Sequence, residues 1–132
     1  LDALAEVEAP RDWHSSGDLA LDLTRELERL RQALGSSPLV PELVALIGRA
    51  EWDPELRETK KELLASGTAG LRRTLAAGIE RHELPVDLDV DTTIARLAGP
   101  LFYRRVLAHA PLDHDFVSRI VAGFVLEAST RR

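Results

Sequence analysis

The chain contains no cysteine, no methionine and no asparagine, and only 5% of its residues are aromatic. Without cysteine there is no disulfide frame, no thiolate nucleophile and no thiolate metal site. No apolar run approaches the ~20 residues that a membrane-spanning helix needs, so no membrane association is expected. The opening residues lack the basic-then-apolar pattern of a secretory signal. A cytoplasmic location fits both. Lysine is scarce, with two residues against fifteen arginines. Together with the missing asparagine, this reads as the coding bias of a GC-rich bacterial genome. Surplus positive charge is missing too. The formal net charge of −5 argues against direct contact with nucleic acid, which relies on clustered Lys and Arg.

What remains is helical periodicity over 132 residues, a length suited to one domain with a real core. Leu1, Leu4, Ala5 and Glu8 fall at helical spacing, yet no residue precedes Leu1 to cap them. The expectation is the remnant of a helix that continued upstream and that Pro10 ends. Trp13 is the one large apolar group in the loop that follows. Asp18 is placed to cap a helix carrying the stripe Leu19, Leu23, Leu27, Leu30 and Leu34, with Asp22, Arg25, Glu26 and Arg29 on its other side. Gly35 closes it. Ser37 and Pro38 open the next helix, which turns Leu43, Leu46, Ile47 and Ala50 inward.

The stretch "EWDPEL" sets Asp53 as cap, Pro54 at the first helical position and Glu55 at the positive end of the helix dipole. The spacing predicts one helix from Pro54 to about His82, roughly 40 Å long, with Leu56, Leu63, Leu64, Leu71, Leu75 and Ile79 in one arc. Gly67, Gly70 and Gly78 beside that arc indicate close helix packing or room for a ligand, with packing preferred. Further helices are expected from Thr92 to about Ala110, capped by Asp91, and from Asp113 to Ala128.

Catalytic and metal-binding patterns are weak. Asp87, Asp89 and Asp91 alternate like the start of a calcium loop, but Thr92 stands where that loop needs glycine and Ala98 where it needs glutamate. His109, Asp113, His114 and Asp115 cluster in sequence without metal-ligand spacing on one helical face. His82 is read as a hydrogen-bonded residue of the long helix's apolar face. With no nucleophile elbow and no phosphate-binding glycine loop, neither an enzyme, nor a cofactor, nor a metal is expected.

The last two helices are apolar over more than one stripe. Ile94, Leu97, Ala98 and Leu101 form one arc, while Ala95, Gly99, Phe102 and Val106 form another. Phe116, Ile120, Gly123 and Phe124 lie beside Val117, Val121, Val125 and Ala128. One core-facing stripe does not require so wide a surface. The expectation is a homodimer pairing two helices against two around a twofold axis, through Gly99, Phe102, Val106, Phe116, Ile120, Val121 and Phe124. Gly99 would permit close approach, and Pro100 would bend its helix. Tyr103, Arg104 and Arg105 follow at once and need partners for their polar ends.

The order "GDLALDL…LVALIGRAEWDPEL…LAAGIERHELPVDLDVD…LAGPLFYRRVLAHAPLDHDFVSRIV" resembles the C-terminal regulatory domain of TetR/AcrR-type transcriptional repressors over nearly the whole chain. "ERHELPVDLDVD" is similar to that family's RGEL-then-acidic segment, and "GPLFYRR" to its GPLYYR. The resemblance implies an all-α bundle of about six helices, the last two forming a four-helix dimer interface and the middle ones enclosing an effector pocket. It also implies that DNA is bound only through an N-terminal helix-turn-helix domain, which these 132 residues lack. The effector would be a small, mostly apolar molecule. Its pocket would lie among Leu23 and Leu27, Leu46, Leu71 and Leu75, and Leu97 and Leu101. Trp13 and Trp52 would supply aromatic walls, and Thr68 and Tyr103 polar anchors. The alternative is a stand-alone helical module that binds a protein partner and senses nothing.

Overall fold

The computed structural model describes residues 13–35 and 38–130. Among them are six α-helices and no strand: α1 (Leu19–Leu34), α2 (Leu39–Ala50), α3 (Pro54–Gly67), α4 (Ala69–Glu80), α5 (Val90–Phe102) and α6 (His114–Thr130). A π-helical turn, Tyr103–Leu107, continues α5. The fold is the all-α bundle expected. The expected helix over Leu1–Glu8, its end at Pro10 and the cap at Ser37 lie outside the described residues.

α1 is the central post. Asp18 accepts from the Leu21 amide at 3.1 Å, satisfying a first-turn donor that would otherwise lack a partner. Leu23, Leu27 and Leu34 are fully buried. α1 packs mainly against α6 and α4, and also against α5 and α2. Its other flank differs from the expectation, because Asp22 and Glu26 are buried as well (1% and 4% exposed). The reason is local: α4 closes over that flank at Gly70, where a Cβ would collide with the Glu26 carboxylate. Gly70 thus serves close helix packing. Gly78 does too, since a Cβ there would come within 2.9 Å of Leu84.

The helix expected from Pro54 to His82 is two helices. Asp53 caps α3 through the Glu55 and Leu56 amides, as its sequence indicates. The α-helical run then breaks at Thr68, whose backbone (φ −107°, ψ 5°) leaves the helical region. Its hydroxyl donates to the Leu64 carbonyl at 2.8 Å. α3 has no fully buried residue: Leu56 and Leu63 are half-buried against the core, and Leu64 stays 44% exposed. Ile47 of α2, expected inside, is 41% exposed.

α4 ends in a left-handed residue. The His82 amide donates to Ile79 O at 3.0 Å and the Glu83 amide to Gly78 O at 2.9 Å, the paired bonds of a Schellman end. His82 holds φ 64° and is exposed, so it is a helix stop and not the apolar-face residue expected. A side chain in this region costs ~1–2 kcal/mol, which glycine avoids. His82→Gly should therefore raise stability by about 0.5–1 kcal/mol after glycine's own entropy cost, read as a higher urea midpoint with unchanged slope.

Asp89, not Asp91, caps α5. It accepts from the Thr92 amide at 3.0 Å and the Thr92 hydroxyl at 2.7 Å. Asp91 pairs with Arg72 at 2.6 Å instead. Pro100 removes one backbone bond, and α5 stops at Phe102 rather than reaching Ala110. The chain loosens into the π turn, with the Ala108 amide bonded to Tyr103 O and the Ala110 amide to Arg104 O, both at 2.9 Å. Asp113 then caps α6 through the Phe116 amide at 2.9 Å.

Candidate functional site

A small apolar hollow lies beneath α3. Leu30 and Leu34 of α1 and Leu39 and Leu43 of α2 form its floor, and Leu63, Leu64 and Gly67 of α3 its roof. Thr68 and Phe102 close the ends. Its free volume is about 30 Å³, room for one water, whereas small-molecule pockets run from ~300 Å³ upward. Its roof has no fully buried residue, and α3 packs far more against α2 than against α4. Phe102 connects the hollow to the end of α5.

The residues expected to line an effector pocket divide accordingly. Thr68 reaches the hollow. Leu23, Leu27, Leu46, Leu71, Leu75, Leu97 and Leu101 are 0–3% exposed and belong to the packed core. Trp52 is a correction: it stands 89% exposed in the turn between α2 and α3 and is not part of the hollow's lining. Tyr103 is another, 63% exposed on the outer side of the π turn. Trp13 is half-buried, and its indole N–H donates to Thr74 Oγ1 at 3.3 Å. Of the hollow's lining, sequence reasoning assigned only Thr68 to ligand. Gly67, singled out as possible room for a ligand, was the available signal for the rest.

Near Trp13 the buried carboxylate of Asp22 accepts from the Ser16 amide at 3.1 Å, the Ser15 hydroxyl at 3.2 Å and Arg25 at 2.8 Å. Burial alone would push this carboxyl up, but the bonds from Ser16 and Ser15 and the charge of Arg25 bring it below the usual carboxylate range. This cluster ties the segment before α1 to the α1–α4 seam.

The outward face of α5 and α6 carries the expected interface residues unevenly. Gly99 faces open space, and Val106, Phe116 and Ile120 are half-buried. A shallow apolar groove runs along Ala95, Gly99, Pro100, Tyr103 and Phe116. Leu126, also outward, is 68% exposed. Three of the expected residues lie elsewhere. Val121 and Phe124 are 3% and 6% exposed inside the chain's own core, because α6 turns them toward the rest of the bundle together with Val117 and Ala128. Phe102 lines the hollow.

Arg104 and Phe116 fasten the π turn to α6. The Arg104 Nε–H donates to Pro111 O at 2.6 Å, and its guanidinium lies 4.6 Å from the centre of the Phe116 ring, a cation–π contact. His114 Nδ1 lies 2.6 Å from Glu28 Oε1, with Nε2 3.2 Å from the Ser118 hydroxyl. The order mimics a serine–histidine–acid relay. Ser118 sits inside α6, however, where helical bonds use the neighbouring amides, so these do not form an oxyanion hole. The three residues tie α6 to α1. Among the described residues no group of three or more His, Asp or Glu is placed to hold a metal ion. No helix there is long and apolar enough to cross a membrane.

Comparison with known families agrees with this architecture. Residues 14–124 match the family model described as Tetracyclin repressor-like, C-terminal domain. None of the curated proteins compared with the chain matches it. The match spans the segment carrying Trp13's neighbours, all of α1 to α5, the π turn and most of α6. This chain belongs to the tetracycline repressor-like C-terminal domain family.

Proposed function

We propose that this domain is the regulatory part of a TetR-type transcriptional repressor, dimerising and responding to a small apolar effector. The observation that carries the effector reading is α3, a helix with no fully buried residue that roofs an apolar hollow. In its present volume the hollow admits no effector. Displacing α3 outward enlarges it, and an apolar effector lodged there would cover the floor leucines Leu30, Leu34, Leu39 and Leu43 that α3 now shields. An effector lodged there would touch Phe102 and so bear on α5, one of the two helices with an outward apolar face. Ligand occupancy and the geometry of a dimer would then be coupled through one side chain, which is what a population shift between DNA-binding and released arrangements requires. Operator contacts would belong to a helix-turn-helix domain beyond these residues.

Two measurements test the effector and the dimer separately. 1-Decanol, as an apolar probe, should raise the melting temperature of the wild-type chain, and Leu63→Trp, which fills the hollow, should abolish the rise. An equal rise in both proteins would place the site elsewhere. For the dimer, a standard interface buries ~1,600 Å² in total, and the outward face of α5 and α6 is the surface proposed to supply it. Sedimentation should show a dimer at micromolar concentration, and Ile120→Glu a folded monomer. A monomeric wild type would sink the dimer reading and favour the stand-alone interaction module.

A further inference from the structure

The sequence leaves one question about "FYRR": why two arginines follow the proline. Arg104 is accounted for by Pro111 and Phe116. Arg105 is not. It is half-buried, yet among the described residues it makes no hydrogen bond and no ion pair. A straight helix would set it near the apolar arc. The wider π winding instead brings it to a cleft at the C-terminal end of α1, beside Arg31, Gln32 and Gly35. The opposite wall is the chain from His109 to Leu112, where His109 holds a left-handed backbone with φ 52°. The cleft's volume is about 620 Å³.

Among the described residues that line this cleft, the charged side chains, Arg31 and Arg105, are of one sign. Arg31 bonds to Glu28 at 2.8 Å through Nε, and that carboxylate is engaged by Arg31 and by His114. Among the described residues Arg105 has no anion of its own, in a chain whose formal charge is −5. A half-buried guanidinium forgoes part of its hydration, and a planar fork of donors is suited to two oxygens of one carboxylate or phosphate. Gln32 and His109 stand beside it with further N–H donors. Ala110, Pro111 and Leu112 give the remaining wall an apolar surface.

We propose that this cleft is a binding site for a small organic oxyanion, its charged head on Arg105 and its apolar body against Ala110, Pro111 and Leu112. It lies apart from the hollow beneath α3, shares no lining residue with it, and does not depend on the effector reading. The rival is structural: Arg105 serves only to offset the last carbonyls of α1.

Titrating the full chain with octanoate, inorganic phosphate and 1-octanol at constant ionic strength separates these. The readout is the NMR signals of the Arg105 Nε–H and the Ala110 amide. Saturable shifts are expected with octanoate, weaker ones with phosphate and none with octanol at these two positions. Arg105→Gln should weaken octanoate binding about tenfold or more. Arg73→Gln, an exposed site with the same charge change, should leave it unaltered, as should Leu63→Trp. Arg105→Lys keeps the charge but not the fork and should lose several-fold, which keeps the test open if the glutamine variant unfolds. Tighter phosphate than octanoate binding would move the ligand class to inorganic anions and overturn the organic assignment. No saturable shift with either anion, or equal affinity in wild type and Arg105→Gln despite a lower melting temperature, would leave only the structural role.

Discussion

Phe124→Asp should unfold this domain rather than merely separate one copy of it from another. Phe124 is 6% exposed, stands in the same core as Val117 and Val121, and lies beneath the Arg96 guanidinium at 5.7 Å. Arg96 in turn pairs with Glu127 of α6. Truncating a buried phenylalanine costs ~3–5 kcal/mol, and a carboxylate without a buried partner adds to that. Arg96 offsets little, because it is 52% exposed and already paired. A loss of at least about 4 kcal/mol would consume most of the ~5–15 kcal/mol that holds an ordinary domain. Circular dichroism should show a large loss of helix at 25 °C. Ile120→Glu, on the same helix but half-buried, should keep native helicity. Native helicity in Phe124→Asp would mean that α6 does not sit as described.

The second large effect is expected at Asp22. Replacing it with asparagine puts an amide where three donors converge, those of Ser16, Ser15 and Arg25. Leaving a buried donor unsatisfied costs ~1–3 kcal/mol, more beside a charge, so Asp22→Asn should lose about 2–3 kcal/mol at neutral pH. The pH dependence has a definite sign. The folded carboxyl titrates below its ordinary value, so its contribution is present above the unfolded value near 3.8 and is lost as pH falls through the lower folded value. Stability of the wild type and of Asp22→Asn, measured by urea titration from pH 7 downward, should converge below about pH 4. A constant difference across that range would mean that Asp22 is not charged in the fold. Glu28 is held low in the same direction: burial opposes the charge, but the bonds from Arg31 and His114 outweigh it. Glu28→Gln should therefore flatten the same acid limb.

Much of the helical layout was legible because caps and stops are local chemistry. Asp18, Asp53 and Asp113 each accept first-turn amides where the sequence placed them. The misreadings share a cause, which is competition that periodicity does not register. Thr68 and the adjacent Gly67 break a run whose leucine spacing continues across the break. Asp89 outcompetes Asp91 because the Thr92 amide and hydroxyl both bond to it. Trp52 is the kind of residue that composition assigns to a wall, yet the turn it occupies faces solvent. Of the site, Thr68 was found and Phe102 was assigned to another surface, since a helical wheel drawn through Pro100 does not anticipate the π turn.

The sequence by itself determined the class of the molecule. It called for an all-α bundle with a leucine-striped central helix, and its motifs resembled the family to which the chain belongs. These properties follow from interactions within a few residues, or from a stripe whose burial is obligatory whatever lies opposite. The tertiary structure alone decided which of two apolar arcs on α6 is core and which stays outward. It also decided that Glu26 is enclosed, because that depends on α4 approaching at Gly70, and that Asp22 is buried beneath Ser15 and Ser16. It left α3 with no fully buried residue and brought Arg105 to the end of α1. In each case the outcome depends on what lies across a helix–helix contact between residues far apart in the chain, and spacing along one helix carries no information about the partner.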